Sequence, residues 1–597
     1  MVYWFYMENE YRRRKTRTSV QKRKGRRRKK KKPALPRILL TGVLVLLVLG
    51  MLAGYFIWQR YSYGSTRADI TNWFEAETAS DYPMILNGEN IGTSARKLDN
   101  ACYMELNDVH TYVSGRFYFG EADGELLYST PTDTIRAPEG ETNAISTDGS
   151  TIAMTAPIVR RDGEGVYVLL DYLASFYDIR YEAFDEPNRM VIALDSWTAD
   201  TATVNKKTHL RYRGGVKSDI LIDLAEDDRV IILEGETDEW VKVRSEDGFM
   251  GYVESKRLNE TEQTTYGQDV LSEPVYSSIT KPYKICLGWH QVFAPAGNDT
   301  FDEVVARTKG MNTISPTWFF LTGNEGDITS YGSADYVQKA HARGMEVWAL
   351  VNNFENKDVD TKQVLSRASS RKRLVDNLIA EAKRCTVDGI NVDFEEVPQE
   401  AGRDYVQFLR ELSIACRREQ LVLSVDNYVP MGFNDYYDRK EQGVIADYVI
   451  IMGYDEHYGG SPEAGSVASI EYVRHGIEAT CAQVPPEKVI NAVPFYTRLW
   501  TTDGTNVSSQ ALGIPAAREA VSANGITLSW DAETEQYYGE TVNGNGALIQ
   551  IWMEEPESIN SKIAVMQANN IAGIAAWKLG LESDDVWDVI AAYVNGG

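Results

Sequence analysis

Two carboxylates, Asp393 and Glu395, lie two residues apart in the segment Val387–Val397, which reads Val-Asp-Gly-Ile-Asn-Val-Asp-Phe-Glu-Glu-Val. Polar residues alternate in this segment with the apolar residues Ile390, Val392 and Phe394. A period of two is typical of a β-strand, whose successive side chains point to opposite faces. Asn391, Asp393 and Glu395 would therefore share one face. In a closed parallel barrel, that face lines the interior and the strand's carboxyl end carries the chemistry.

Carboxylates at this spacing are separated by roughly 6.6 Å along a strand and approach a substrate from the same side. They cannot flank a sugar ring as the acid and nucleophile of ordinary glycosidases do. One of them can instead act as an acid while the other assists. A negative Asp393 would raise the pKa of Glu395 and keep it protonated as a proton donor. The attacking group must then come from elsewhere, and the substrate itself is one source.

The stretch Asp388-Gly-Ile-Asn391-Val-Asp393-Phe-Glu395 resembles the signature strand of glycoside hydrolase family 18, usually Asp-x-x-Asp-x-Asp-x-Glu. The resemblance implies substrate-assisted hydrolysis, in which Glu395 is the catalytic acid and Asp393 orients the substrate's acetamide group. Asn391 stands where the family usually carries Asp. An amide can hydrogen-bond Asp393 but cannot exchange a proton with it, so the effect on rate and pH optimum stays open. The alternative is a buried acidic strand without chemistry, as in sugar-binding relatives that have lost the glutamate.

Other segments resemble this family at the ends of later strands. Met452-Gly-Tyr454-Asp455 is similar to its Met-x-Tyr-Asp motif, which implies that Tyr454 is catalytic and hydrogen-bonds the N-acetyl group. The same resemblance implies a tryptophan floor beneath the sugar at Trp577. Each of these residues could instead be part of local packing. The substrate-binding residues predicted from these motifs are Asn391, Asp455, Met452, Trp577 and Tyr496. Trp289 is added to them because it lies at a strand end, and the further strand-end candidates are Trp318, Asn353 and Asp426.

Residues 281–597 alternate strand and helix patterns, which is typical of a parallel sheet. The eight predicted strands are Ile285–Trp289, Thr313–Phe320, Glu346–Val351, Gly389–Phe394, Leu421–Val425, Tyr448–Met452, Val489–Val493 and Gly573–Trp577. Eight strand–helix units over this length predict an α/β fold, a (β/α)8 TIM barrel. The gap between strands 7 and 8 exceeds one helix, so we expect an insertion there.

The amino-terminal region indicates membrane anchoring. Residues 1–37 carry 16 Lys/Arg and two acidic residues, a net charge of +14, whereas the remainder has 46 basic and 84 acidic residues, a net charge of −38. Residues 38–58 are uncharged and, as a helix, would span roughly 30 Å, enough for a bilayer core. The basic block predicts a cytoplasmic amino terminus and an extracytoplasmic catalytic domain. A cleaved signal peptide is the alternative, and a nucleic-acid-binding arm fits the position less well.

Two smaller modules are expected before the barrel. Residues 72–200 show a small α+β pattern that resembles an amine-oxidase-N-terminal-like module of bacterial surface proteins. Residues 206–258 alternate tightly and resemble a bacterial SH3-type β-barrel, a common cell-wall-binding module. The ligand of the first module stays open.

Five scattered cysteines show no metal-ligand spacing, and we predict no metal and no cofactor. The sequence therefore predicts a membrane-anchored extracytoplasmic hydrolase that cleaves β-1,4 bonds of N-acetylglucosamine-containing glycan by substrate-assisted retaining catalysis. The motifs resemble the spore-cortex and cell-wall branch of the family, which implies peptidoglycan as substrate. The alternatives are a hydrolase of chitin oligomers, a non-catalytic glycan-binding protein, and a wall tether that acts through the middle modules. We expect no nucleic-acid partner; oligomeric state and endo or exo action are left open.

Overall fold

A computed structural model describes residues 35–237, 239–267 and 274–596. The predicted basic tail falls almost wholly outside these residues. The first element is a helix, Leu35–Tyr61, whose apolar side chains from Leu39 onward are exposed. It is the one helix of the described chain that is long and apolar enough to cross a membrane, over Leu39–Tyr61. A helix of this kind is typical both of a membrane span and of a signal sequence.

Two sheets follow and share a core. The larger has seven strands, in the order Ile179–Phe184, Arg189–Leu194, Asp81–Leu86, Glu89–Leu98, Ala101–Glu105, Gly165–Leu169, Val159–Asp162. The smaller has five strands in sequence order, Phe117–Gly120, Glu125–Ser129, Thr134–Pro138, Asn143–Ser146 and Thr151–Ala153. Short helical segments lie between them, at Leu106–Asp108, Val109–Val113 and Leu170–Leu173. Buried rings such as Phe117 and Tyr128, stacked with centroids 4.4 Å apart, belong to the core that joins the sheets.

A second seven-stranded sheet has the order Ile220–Leu224, Thr208–Arg211, Met250–Glu254, Trp240–Ser245, Arg229–Thr237, Trp197–Thr203, Glu262–Tyr266. A 3-10 turn, Ser255–Arg257, follows the strand Met250–Glu254. The strand Trp197–Thr203 crosses the boundary predicted at residue 200, and Glu262–Tyr266 pairs with it beyond the end predicted at residue 258. The sheet has its own small core, which includes Val230, Val241 and Val243.

The predicted (β/α)8 barrel follows, from residue 285 onward. Its strands are Ile285–His290, Thr313–Leu321, Glu346–Asn352, Gly389–Asp393, Val422–Tyr428, Tyr448–Met452, Val489–Pro494 and Gly573–Trp577. Each pairs in parallel with the next, and the eighth pairs with the first, so the barrel is closed. A short strand, Ile328–Ser330, forms a hairpin with the second strand.

Amphipathic helices cover the outside of the barrel because their apolar faces pack on the outward strand residues. The helices are Phe301–Val304, Ala334–Ala342, Thr361–Ser366, Ala368–Cys385, Gly402–Arg418, Arg439–Ile445, Ile470–Cys481, Pro556–Ala568 and Val586–Asn595. The 3-10 turns are Pro295–Thr300, Gln399–Ala401, Gly432–Tyr437 and Pro486–Lys488. Serine side chains cap two of the helices, as Ser333 accepts the N–H of Tyr336 and Ser469 that of Tyr472.

The segment between strands 7 and 8 forms a separate antiparallel sheet with one helix, Ile514–Ala523. Its strands run in the order Asn506–Gly513, Tyr496–Asp503, Leu548–Met553, Gln536–Val542, Ser529–Asp531. The insertion begins two residues after the seventh barrel strand, so its first strand leaves directly from the carboxyl end of the barrel.

Candidate active site

A cleft of about 210 Å³ opens at the carboxyl ends of the barrel strands. Seven of the nine predicted site residues line it: Asp393, Glu395, Tyr454, Asp455, Met452, Trp577 and Trp289. Two of the predicted residues, Asn391 and Tyr496, are not among the lining residues. Side chains from four different strand ends therefore meet where barrel enzymes place their chemistry.

Glu395 lies two residues beyond the fourth strand, and a neighbouring loop fixes its backbone. Asn353, which follows the third strand, donates from Nδ2 to the Glu395 carbonyl oxygen at 2.8 Å. The Oδ1 atom of Asn353 accepts the Glu395 N–H at 2.9 Å. Both backbone polar groups of Glu395 are thus paired with one side chain, although regular strand pairing has already ended.

The Glu395 carboxylate accepts a hydrogen bond from the Tyr428 hydroxyl, with 2.8 Å between the Tyr428 oxygen and Oε2. Tyr428 is the last residue of the fifth strand. Tyr428 is not among the predicted site residues because the predicted strand ends at Val425. The available signal was the alternation of Ser424, Asp426 and Tyr428, which continues the inward-facing set of that strand.

The pKa of Glu395 is raised, as predicted, but the main cause is different. Burial is the largest contribution, the Tyr428 hydrogen bond lowers the pKa, and the charge of Asp455 raises it. The cause predicted from the sequence was the negative charge of Asp393. A raised pKa keeps a larger fraction of the carboxyl group protonated near neutral pH, as a general acid requires.

Asp393 and Asp426 face the same cleft from adjacent strands. The pKa of Asp393 is raised well above its ordinary range by burial, by Asp426 and by Glu395. The pKa of Asp426 is also raised, mainly by burial. Within the described residues, Oδ1 of Asp393 has no hydrogen-bond partner. A buried acceptor without a partner is costly, so this oxygen is available to a group that the cleft admits.

Asn391 lies beneath the cleft, fully buried, and its side chain contacts protein groups. Its Nδ2 donates to Oδ1 of Asp426 at 2.8 Å, not to Asp393 as expected. Its Oδ1 accepts from the indole N–H of Trp289 at 2.9 Å and from Ser315 at 3.1 Å. The predicted substrate-binding role is therefore not supported, because the side chain is fully buried and both its oxygen and its nitrogen are paired with protein groups. The register between the fourth and fifth strands determines that Asp426 is the partner of the Asn391 amide.

Tyr496 supports the site through Asp455. Its hydroxyl donates to Oδ1 of Asp455 at 2.5 Å, and its ring lies 6.3 Å from the ring of Tyr454. Asp455 has a positive φ of 60°, a backbone conformation that few non-glycine residues adopt. Tyr454 is buried, and burial is the largest cause of its raised pKa. The hydroxyl of Tyr454 therefore stays protonated and can donate a hydrogen bond.

Two tryptophans form the floor of the cleft. The Trp577 ring is partly exposed, and its centroid lies 6.0 Å from that of Trp289 at an interplanar angle of 60°. Trp289 is only 1% exposed, so it mainly supports Trp577. The candidate Trp318 is fully buried and donates to Asn298, so it belongs to the core. An apolar ring on the floor suits the apolar face of a sugar.

Comparison with known proteins gives a family match within the barrel. The model of the family "Glycosyl hydrolases family 18" matches residues 319–582. The glycosylase YvbX of Bacillus subtilis (strain 168) is 26% identical over 299 residues, which is 47% of this chain and 84% of YvbX. The "Cortical fragment-lytic enzyme" of the same organism is 26% identical over 257 residues, 41% of this chain and 59% of that enzyme.

Solved structures give similar matches. The Bacillus cereus spore cortex-lytic enzyme SleL aligns with a TM-score of 0.48 and 21% identity, covering 55% of this chain and 78% of that one. A chitinase from Chromobacterium violaceum ATCC 12472 aligns with a TM-score of 0.47 and 21% identity, covering 52% of this chain and 98% of that one.

Proposed function

We propose that the protein hydrolyses β-1,4 bonds of N-acetylglucosamine-containing glycan, with peptidoglycan as its substrate, because residues 319–582 match the model of the family "Glycosyl hydrolases family 18". The observation that carries the proposal is the placement of Glu395. Its carboxyl group lies in the cleft, has a raised pKa, and is close in space to Tyr454, Asp393 and the Trp577 floor.

The first step uses Glu395 as the acid. A sugar lies on Trp577, and protonated Glu395 transfers its proton to the glycosidic oxygen as the bond to the anomeric carbon breaks. The Tyr428 hydroxyl stabilises the carboxylate that this transfer leaves behind, because it already donates to Oε2.

The nucleophile is the acetamide oxygen of the same sugar, since Asp393 and Glu395 reach the substrate from one side. This oxygen forms a bond to the anomeric carbon and gives a cyclic oxazolinium ion. The unpaired Oδ1 of Asp393 is suited to accept the acetamide N–H, and the Tyr454 hydroxyl is suited to donate to the acetamide oxygen. These contacts hold the acetamide in place, and the carboxylate that Glu395 becomes on losing its proton offsets the positive charge as it develops.

The second step reverses the proton transfer. The Glu395 carboxylate removes a proton from a water molecule, whose oxygen bonds to the anomeric carbon as the acetamide oxygen leaves. Two displacements at the same carbon give net retention of configuration, and Glu395 returns to its protonated form.

Peptidoglycan is favoured because the "Cortical fragment-lytic enzyme" is similar to this chain over 257 residues. A resemblance to wall-binding modules at residues 206–258, and an apolar helix at residues 38–58 placed after a basic segment, fit a wall substrate beside a membrane. In this arrangement the amino terminus is cytoplasmic, the catalytic domain is extracytoplasmic, and the partners are membrane and glycan. Chitin oligomers are the second candidate, because they also consist of N-acetylglucosamine joined by β-1,4 bonds.

The experiment compares purified peptidoglycan and chitin oligomers as substrates for the full chain in detergent, with Glu395→Gln alongside. The amide keeps the shape of the side chain but cannot deliver a proton, so we expect turnover to fall by about 10²–10⁴-fold while glycan binding persists. Product analysis by mass spectrometry and ¹H NMR reports the bond cleaved and the anomeric configuration.

Glu396→Gln is the matched control. Its side chain is adjacent in sequence, exposed and outside the cleft lining, so we expect near-normal turnover. Equal turnover by Glu395→Gln and the wild type contradicts the assignment of the acid. Binding without product from the wild type favours a glycan-binding protein instead. Wall attachment that survives deletion of the barrel supports the tether role.

A further inference from the structure

A lysine, Lys578, directly follows the floor tryptophan and is half-buried at the edge of the cleft. Its Nζ donates to Oε1 of Gln291 at 2.6 Å and lies 5.9 Å from the centroid of the Phe293 ring. Gln291, Phe293 and Trp577 all line the cleft. The ammonium group is therefore held beside the surface on which a sugar would lie.

The charge of Lys578 contrasts with that of the cleft. Five carboxyl side chains line the cleft, namely Glu355, Asp393, Glu395, Asp426 and Asp455, and its lining contains no lysine or arginine. No ion pair joins Lys578 to a carboxylate within 4 Å among the residues that the structure describes. Burial accordingly lowers the pKa of Lys578, and no carboxylate offsets this effect. Burying part of an ammonium group that has no ion-pair partner is unfavourable unless a ligand supplies the partner.

The surroundings of Lys578 leave room for that partner. An ammonium group has three N–H donors, and Gln291 is its one hydrogen-bond partner in the described chain. The neighbouring Phe293 ring is 70% exposed, so it offers an uncovered apolar wall at the same edge. A short acidic substituent on a sugar could contact both groups at once. The Lys578 ammonium would bind its negative charge, and the Phe293 ring would pack against its apolar part.

We propose that Lys578 binds a carboxylate carried by the glycan, on a sugar at or next to the one that lies on Trp577, and so selects acidic over neutral glycan. The inference rests on the proposed function and deepens it, because it names the substrate class. In peptidoglycan the carboxylate has two sources: the lactyl ether of an unsubstituted muramic acid, or the stem peptide. Chitin has neither.

The test measures both binding and turnover. Binding is measured by titration calorimetry in the Glu395→Gln background, so that it does not depend on hydrolysis. The probes are chitin oligomers, peptide-free glycan strands with lactyl carboxylates, the same strands after conversion of those carboxylates to methylamides, and strands that carry peptides. Turnover of the same substrates is measured as kcat/KM with otherwise wild-type protein.

Lys578→Met should lower the ratio of acidic to neutral glycan, in affinity and in kcat/KM, by about tenfold, as expected for one hydrogen bond to a charged group. Lys578→Arg should keep most of the ratio because it restores the positive charge. Lys284→Met is the matched control, a half-buried lysine at the amino end of the first barrel strand, and should leave the ratio unchanged. Loss of the preference on methylamidation assigns the lactyl carboxylate, whereas a preference limited to peptide-bearing strands assigns the stem peptide.

Two results overturn the inference. One is a wild-type protein that binds acidic and neutral glycans equally, and the other is an unchanged ratio in Lys578→Met. Failure of the proposed function is a separate result, because it is an absence of turnover on every substrate while the binding titrations still report on Lys578.

Discussion

At the scale of single residues, the ionisation of Glu395 is set by opposing effects. Burial favours the neutral acid, whereas the Tyr428 hydroxyl favours the carboxylate. The balance suits a group that must donate a proton in one step and accept one in the next. Asn391 contributes indirectly, since its amide fixes the orientation of Asp426 without adding a further ionisable group to the site.

Removing the Tyr428 hydroxyl should move the pH profile of catalysis. In Tyr428→Phe the carboxylate loses a hydrogen bond, so the pKa of Glu395 rises further above its ordinary value. Because the first step needs protonated Glu395, activity is lost as the pH rises through this pKa. The alkaline limb of kcat/KM should therefore shift upward by about one pH unit, the equivalent of one hydrogen bond to a charged group.

The control for this variant is Tyr437→Phe. The Tyr437 hydroxyl contacts the backbone of Val397 and Phe394 but not the Glu395 carboxylate. Its alkaline limb should stay where the wild type has it. A downward shift in Tyr428→Phe would show that the hydroxyl does not stabilise the charged form of Glu395.

At the scale of elements, the position of Glu395 after the fourth strand depends on a residue that follows the third strand. Asn353, just after the third strand, binds the backbone N–H and carbonyl of Glu395, just after the fourth. In Asn353→Ala both groups lose their partner, and the Glu395 side chain is less well aimed. We expect kcat to fall by about 10–100-fold with little change in KM, because a small misplacement of a catalytic group affects the chemical step most.

Asn356→Ala is a control in the same loop, as its side chain contacts Thr322 and Asp358 but not Glu395. Asn353→Asp should be intermediate, since a carboxylate accepts the Glu395 N–H but cannot donate to its carbonyl oxygen. A large rise in KM with normal kcat in Asn353→Ala would instead point to a contact between Asn353 and the substrate.

The sequence was sufficient to predict the eight strands, the closed barrel and most of the cleft, because hydrophobic alternation and the family's motifs lie within single strands. It was not sufficient where contacts cross between strands. The partner of Asn391 depends on the strand register that places it opposite Ser424. The role of Tyr428 depends on the fifth strand continuing for three residues beyond its predicted end at Val425. Register and strand length follow from barrel closure, which local patterns do not specify.

At the scale of the whole molecule, the first module is attached to the barrel by polar contacts with the helix Gly402–Arg418, which follows the fourth barrel strand. Tyr118 donates to Asp404 at 2.5 Å, and Arg410 donates to the Gly115 carbonyl at 3.2 Å. Arg371 is fully buried and pairs with Glu411 of the barrel beside the Tyr118 ring. Arg371 also donates to the hydroxyl of Tyr118. Because a residue of the module thus helps to satisfy a buried charge of the barrel, the module and the barrel should unfold together.

Arg116→Ala tests this coupling. Arg116 of the module and Arg410 of the barrel both pair with Glu441, at 3.2 and 2.9 Å. Burial raises the pKa of Glu441, but the two arginines outweigh it, and the net shift is downward. Since Arg410 remains in the variant, we expect a loss of about 2 kcal/mol in the free energy of unfolding at pH 7, below the cost of leaving a buried charge wholly unpaired.

The pH dependence of that loss gives the sharper measurement. A carboxyl group with a depressed folded-state pKa stabilises the protein above its unfolded pKa and loses this effect as the pH falls. The difference in urea-unfolding free energy between Arg116→Ala and the wild type should therefore shrink below about pH 4, where Glu441 becomes protonated. Arg136→Ala is the matched control. Arg136 pairs with Glu125 inside the five-stranded sheet of the module, so this variant should leave the module and the barrel unfolding together. Two separate transitions in the wild type would show instead that the module and the barrel are independent folding units.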